Sequence, residues 1–218
     1  MRLKWYGHAA FKITTEKGVK IIIDPYQSGA YGGALSYGRI EDEADIVLTS
    51  HDHDDHGYVK DIKGKFELVK DEGEREIKSV RIKAIPTFHD PSSGRERGKN
   101  LMFLIDADDV RILHVGDLGH TLDDKKLEEI GRVDVLLIPV GGYYTIDAKE
   151  ATQVMESIKP KITIPMHFKT DKCGFPISEV IAFTQGKKNV KFLESDEIEI
   201  TSKTLPQTPE IYVLKHAL

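Results

Sequence analysis

Three imidazoles and a carboxylate fall within six residues of this 218-residue chain, in the order His51-x-His53-x-Asp55-His56. These are the groups that bind divalent transition metals, and imidazole suits zinc, manganese and iron. A water bound to such an ion loses its proton near neutral pH, so hydrolysis is the chemistry the cluster could serve. The competing reading is a solvated, His-rich turn that holds no ion. One compact loop could serve two adjacent ions only if other parts of the chain supplied further ligands.

Three residues are candidates for that supply, and each follows a predicted strand. Ile82–Phe88 ends at His89, Arg111–Gly116 ends at Asp117, and Lys161–Met166 ends at His167. Strand ends at one edge of a sheet can converge on a common site. Taken singly, a His after a strand is more often a surface or capping residue, and an Asp before a helix is often an N-cap. Taken with the cluster, the metal reading becomes the better one.

The elements that must position these groups divide the chain in two. The first half reads as strands: Arg2–Tyr6, Ala9–Thr14 and Val19–Asp24, with a hairpin turn at Glu16-Lys17-Gly18. Asp45–Ser50 is a short apolar strand that runs into the cluster, and a short helix is expected to start inside the cluster itself. Phe66–Lys70, Ile77–Pro86, Leu101–Asp106 and Val110–Val115 are further strands. The second half alternates. Helices are expected at Asp123–Ile130, Asp147–Ile158 and Ser178–Thr184, the second with Asp147 as N-cap and Glu150 three residues on. Strands are expected at Val133–Pro139, Lys161–Met166, Val190–Leu193 and Glu197–Thr201. No composition break or linker divides the chain, so residues 1–218 read as one domain, with 203–218 a C-terminal tail.

Hydrophobic residues make up 39% of the chain and charged residues 31%, which suits a globular protein with a charged surface. The net charge of −5 argues against a general nucleic-acid-binding surface. Cys173 is the only cysteine, which rules out an intramolecular disulfide and a cysteine-based zinc site. No apolar leader or membrane-length apolar run is visible, so a cytoplasmic location is the default expectation.

The chain resembles the metallo-β-lactamase superfamily. The resemblance runs through Gly7-His8-Ala9, Asp24-Pro25, the 51–56 cluster, His89, Gly116-Asp117 and Pro165-Met166-His167, in the order the family has them. Gly116-Asp117-Leu118-Gly119-His120 and Pro139-Val140-Gly141-Gly142 look closest to the branch of ascorbate-6-phosphate lactonase-like proteins. The resemblance implies an α/β fold, a four-layer αββα sandwich of two mixed β-sheets flanked by helices. It also implies a dinuclear centre, with His51, His53 and His89 on one ion and Asp55, His56 and His167 on the other. Asp117 would bridge the two. The ions would be divalent, zinc by default, with manganese, iron or nickel as substitutes.

The activity so implied is metal-dependent hydrolysis. A hydroxide held between the ions would attack an ester, lactone or phosphoester bond of a small, anionic substrate. Asp55 could also orient that hydroxide. His8 and His120 could donate to substrate oxygens or act as general acids, although His8 reads equally well as a hydrogen-bonded core imidazole. Asp24 could fix the cluster or a ligand His, or be a turn residue before Pro25. Gly141–Tyr144 could form a pocket wall or an ordinary turn. The loop 90–100, with Arg95, Arg97 and Lys99, could recruit an anion or be a mobile, solvated segment. A nuclease or RNA-processing phosphodiesterase on the same centre, and a metal-binding protein without turnover, are the alternatives. Oligomeric state is not readable from these residues.

Overall fold

The computed structural model describes residues 1–218. In chain order the elements are β1 (Arg2–Gly7), β2 (Ala10–Thr14), β3 (Lys20–Ile23), α1 (Ala30–Gly33), β4 (Ile46–Leu48), β5 (Glu67–Val69), β6 (Gly73–Ile77), β7 (Val80–Phe88), β8 (Lys99–Ala107) and β9 (Val110–His114). They continue with α2 (Asp124–Ile130), β10 (Val135–Pro139), α3 (Ala148–Ile158), β11 (Ile162–Met166), α4 (Ile181–Thr184), β12 (Val190–Phe192), β13 (Glu197–Glu199) and β14 (Glu210–Val213).

The strands form two mixed sheets. One has six strands in the order β13-β1-β2-β3-β4-β5, and the other has eight in the order β12-β14-β11-β10-β9-β8-β7-β6. Side chains alternate between the faces of a strand, and β3 shows the consequence. Ile21 and Ile23 enter the core between the sheets, while Ile22 enters a second apolar cluster on the outer face. All three are fully buried. Burying such a side chain is worth roughly 1.5–3 kcal/mol, which is why this strand is an unbroken apolar run.

Strand direction matters most for the site. In the six-stranded sheet, β1 and β2 are antiparallel, β2 and β3 are antiparallel, and β3 and β4 are parallel, so β1, β3 and β4 run the same way. In the other sheet the pairings of β7 to β11 make β7, β9, β10 and β11 co-directional. The C-terminal ends of each set therefore lie at a common rim. His8, Asp24 and the 49–56 loop follow the first set, and His89, Asp117, Gly141 and His167 follow the second.

The helices α2, α3 and α4 all lie in connections of the eight-stranded sheet, and bury Ile130, Ala151, Val154 and Phe183 in the main core. The α3 start is the expected capping box. Asp147 Oδ1 accepts from the Lys149 and Glu150 amides, and Glu150 Oε2 accepts from the Asp147 amide at 3.0 Å. The outer face of the six-stranded sheet has no comparable helix. Loop residues Tyr26, Leu35, Tyr37, Ile40, Phe175 and Ile177 cover it instead. No helix is long and apolar enough to cross a membrane.

Two local expectations are corrected, and one strand is new. Residues 203–218 are no tail: β14 inserts between β11 and β12, and Ile211, Val213 and Leu214 are buried in the main core. Two prolines hid a strand of four residues with only two inward apolar positions, Ile211 and Val213. The 51–56 segment forms turns rather than a helix, closed by the His56 and Gly57 amides on the His53 carbonyl at 3.0 and 2.7 Å. Gly73–Ile77 is an edge strand paired with β7. Its charged, largely exposed residues carry no apolar alternation, and charge is a common guard on a sheet edge.

Candidate metal centre

All seven residues expected as ligands meet at the shared rim. With His8 added, their ligand atoms fall into three groups, each with its atoms within 4.8 Å of one another: His51, His53 and His89; His8, Asp55, His56 and His167; and His51, His56 and Asp117. Asp117 stands among them. Its Oδ2 lies 3.2 Å from His89 Nε2 and 3.4 Å from His167 Nε2, and its Oδ1 lies 3.2 Å from His56 Nε2. Bonds of about 2.0–2.1 Å in a tetrahedral shell put neighbouring ligand atoms about 3.4 Å apart, close to these separations.

A chain of hydrogen bonds sets the imidazole orientations. Asp24 Oδ1 accepts from the Ser50 amide and Oδ2 from the Ser50 hydroxyl, both at 2.7 Å. Oδ2 also faces His56 Nδ1 at 2.9 Å, and Ser50 Oγ faces His51 Nδ1 at 2.9 Å. Because the Ser50 proton goes to Asp24, Ser50 Oγ must accept from His51 Nδ1–H. His51 then carries its free lone pair on Nε2, and His56, held at Nδ1 by Asp24, turns its own Nε2 toward Asp117. His51 Nε2, His56 Nε2 and Asp117 Oδ1 are buried without a hydrogen-bond partner. Buried polar atoms are ordinarily paired, so such orphans, gathered in one place, fit divalent metal ions.

Electrostatics point the same way. Burial, then the neighbouring His56, pushes His51 down to about 3, against the pull of Asp117 and Asp24. His51 is thus a neutral imidazole, the form that ligates. Burial alone would raise the Asp117 carboxyl, but His167, His56 and His89 outweigh it and hold it well below the usual range. His56 is moved the other way: burial opposes its charge, yet Asp117, Asp55 and Asp24 raise it well above the ordinary value. Three buried carboxylates converging on one ring demand a cation, and a metal ion would answer that demand.

Backbone conformation at this rim is unusual. His8, Asp24 and His167 adopt φ of 51°, 47° and 50°, a left-handed region that costs non-glycine residues about 1–3 kcal/mol each. The His8 carbonyl accepts from both the His167 amide and the Trp5 indole at 3.0 Å, tying the end of β1 to the end of β11. Two glycines permit equally close approaches. A Cβ on Gly119 would lie 2.3 Å from the backbone of His89 and Asp90, and one on Gly141 would lie 2.3 Å from the His167 carbonyl oxygen. These two residues let the loops carrying His89 and His167 close in.

A cavity of about 310 Å³ opens onto the cluster. His53, Asp55, His89, Asp117 and His167 form its metal-ligand-type wall, and Tyr31, Tyr144, Phe175 and Arg97 form the rest. Tyr31 donates to Asp55 Oδ1 at 2.9 Å. Its own φ of 53° lies among glycines with positive φ, so the strained loop 29–33 presents this ring to the cavity. No local pattern marks Tyr31. Asn100 was equally silent in the sequence: its side chain, fully buried, donates to Thr87 Oγ1 and the Val115 carbonyl and accepts the Asp117 amide at 3.0 Å. A buried Asn beginning an apolar strand is the one signal that could have flagged it.

The two proposed acid candidates stand elsewhere. His8 is fully buried behind Asp55, its Nε2 3.1 Å from Asp55 Oδ2, and is absent from the cavity wall. Its position fits the core-imidazole reading. His120 also lies outside the cavity. Its Nδ1 faces the Thr121 carbonyl at 2.8 Å and its Nε2 accepts from the Phe88 amide at 3.4 Å. Asp24 is the supporting residue rather than a simple turn Asp. His114 is a core residue, its Nε2 2.9 Å from the Ala9 carbonyl. Asp52 points to solvent and does not share a face with buried His56.

The two-sheet fold with this cluster at the rim defines a protein of the metallo-β-lactamase fold. The family model described as "Beta-lactamase superfamily domain" matches residues 2–167, and the chain belongs to that superfamily. It is 33% identical over 196 residues to a UPF0173 metal-dependent hydrolase of Carboxydothermus hydrogenoformans, covering 78% of this chain and 85% of the relative. A UPF0173 metal-dependent hydrolase of Archaeoglobus fulgidus is 28% identical over 207 residues, covering 82% and 86%. Among solved structures, a candidate zinc-dependent hydrolase of the metallo-β-lactamase superfamily from Thermotoga maritima is similar at a TM-score of 0.81 and 33% identity, covering 98% of this chain and 97% of that one. These likenesses establish the superfamily and do not single out the lactonase-like branch.

Proposed function

We propose that this metal-dependent hydrolase works through a dinuclear centre, in which His51, His53 and His89 hold one divalent ion, Asp55, His56 and His167 hold the other, and Asp117 joins them. The observation that carries the proposal is the set of inward-facing, unpartnered ligand atoms on His51, His56 and Asp117. Ions bound there supply a Lewis acid and lower the pKa of a bound water from 15.7 to about 7. The protein's own groups do the rest. Asp24 and Ser50 hold the His51 and His56 rings with Nε2 inward. His8 Nε2–H and Tyr31 Oη–H donate to the two oxygens of Asp55 and fix its plane. Asn100 fixes the Asp117 backbone.

The bond cleaved is an ester, lactone or phosphoester of a small molecule. A cavity of about 310 Å³ walled by aromatic rings supports a small substrate, since ligand pockets typically run from about 300 to 1,000 Å³. The relatives' description as metal-dependent hydrolases supports the reaction class. Metal analysis of the purified chain, beside hydrolysis of phenyl ester, lactone and phosphodiester probes, tests the reading. Two ions per chain and turnover of at least one probe are expected. His51→Ala should lower the stoichiometry with the fold retained, and Asp117→Asn should weaken both ions together. Unchanged stoichiometry in His51→Ala, or loss of a single ion in Asp117→Asn, would refute the assignment.

A further inference from the structure

The loop 90–100 reads in the sequence as either an anion-recruiting or a mobile, solvated segment, and its stretch from Asp90 to Gly98 is tied down by a single buried carboxylate. Asp90 Oδ1 accepts from the Ser92 and Gly94 amides at 2.8 and 3.0 Å, and Oδ2 accepts from the Glu96 and Arg97 amides at 3.1 and 2.8 Å. The loop closes where the His89 amide donates to the Gly98 carbonyl at 3.1 Å. The same residue pair, His89-Asp90, thus sets both a metal-ligand candidate and the placement of Arg97.

Arg97 is the only charged side chain of the cavity outside the expected ligand set. Its guanidinium makes no hydrogen bond within the protein. The nearest carboxylate is Glu96 Oε2 at 3.7 Å, and the group sits 6.0 Å from the Tyr144 ring centroid. A planar fork of N–H donors, left unspent beside an aromatic face, suits a bound oxyanion. Tyr31 and Tyr144 pack edge-on to Phe175, with centroids 5.4 and 5.6 Å away, and the three rings offer an apolar surface to the body of a substrate. Arg97 also borders the adjoining cleft beside His51 and His53, so a group it holds lies next to the metal cluster.

We infer that Arg97 is the specificity residue of this centre, and that it selects a small substrate carrying an anionic group, a carboxylate or a phosphate, on an apolar body. The inference rests on the hydrolase reading for the location of the reacting bond. Its test does not depend on turnover. Zinc-loaded full-length protein is titrated calorimetrically with phenylacetate, with phenylphosphonate and with neutral phenylacetamide, beside Arg97→Gln and Arg97→Lys. Both anions should bind at least about tenfold more tightly than the amide, as a charge-assisted hydrogen bond allows. Arg97→Gln should lose about that factor for the anions, and Arg97→Lys should recover part of it, with zinc content and melting temperature at wild-type values. A greater loss for phenylphosphonate marks a phosphate as the natural group, and a greater loss for phenylacetate marks a carboxylate. Anion affinity unchanged in Arg97→Gln overturns the inference, because the ions alone would then hold the anion. Probe hydrolysis by the same samples separates the two readings. Arg97-dependent binding without turnover of any probe sinks the hydrolase reading alone, whereas turnover with Arg97-independent binding sinks the specificity role alone.

Discussion

Neither Ser50 nor Asp24 lines the cavity that Tyr31 and Arg97 share, yet the site depends on them. The proton of Ser50 goes to Asp24, so Ser50 Oγ can accept from His51, and Asp24 holds the His56 ring directly. Removing such partners typically costs 10–100-fold in metal affinity. Ser50→Ala and Asp24→Asn should therefore weaken zinc binding by about that factor, measured by competition with a chromogenic chelator. Ser50→Ala should act chiefly on the His51 ion, and Asp24→Asn on the His56 ion as well. Zinc affinity at the wild-type level in both variants would show that the relay does not orient the rings. Tyr31 belongs to the same scale. It was not legible because nothing in Gly29-Ala30-Tyr31-Gly32-Gly33 announces that its ring reaches Asp55, a residue 24 positions away.

At the level of elements, the close approach of loops explains Gly119 and Gly141. The Gly119 backbone lies so near His89 and Asp90 that a methyl group there would meet atoms at 2.3 Å. Overpacking of this kind costs typically about 1–3 kcal/mol. For a domain of this size, that predicts a fall in melting temperature of about 2–12 °C for Gly119→Ala, read by calorimetry. Metal affinity should fall with it, because the displaced backbone carries His89. An unchanged melting temperature would mean that the loop yields freely. The strands that end at the rim were legible at the same scale. Ile82–Phe88, Arg111–Val115 and Lys161–Met166 are apolar runs bounded by turn residues, and they appear as β7, β9 and β11 within a few residues of the expected bounds. The β6 and β14 strands were not, since an edge strand of charged residues and a short strand behind prolines carry little periodicity.

The whole molecule brings ligand-type groups from both sheets to one seam. His8, Asp24 and the cluster come from the six-stranded sheet, and His89, Asp117 and His167 from the eight-stranded sheet. Ions bound across that seam would cross-link the sandwich and relieve several buried, unpaired groups. Binding at a free concentration 100-fold above Kd stabilises a fold by about 2.7 kcal/mol. Chelation should then lower the melting temperature by about 5–10 °C, and zinc should restore it. His51→Ala should show a much smaller shift between chelated and zinc-loaded samples. A melting temperature indifferent to chelator in the wild-type chain would argue that no ion bridges the sheets.

The His51-x-His53-x-Asp55-His56 spacing, and a lone polar residue after each of three apolar strands, made a set of candidate metal ligands and the superfamily resemblance readable from the chain alone. Side-chain type and strand ends are local properties, and metal-ligand chemistry needs particular atoms. Which groups face the cavity is a different matter, because it depends on how loops from distant segments pack. Only the tertiary structure decided that His8 lies buried behind Asp55 while His120 turns away. It also decided that Tyr31 and Arg97 share the cavity, that Asp90 organises the loop beside His89, and that residues 210–213 complete a sheet. Each of these outcomes rests on contacts between segments far apart in the chain, for which a single sequence carries no periodic signal.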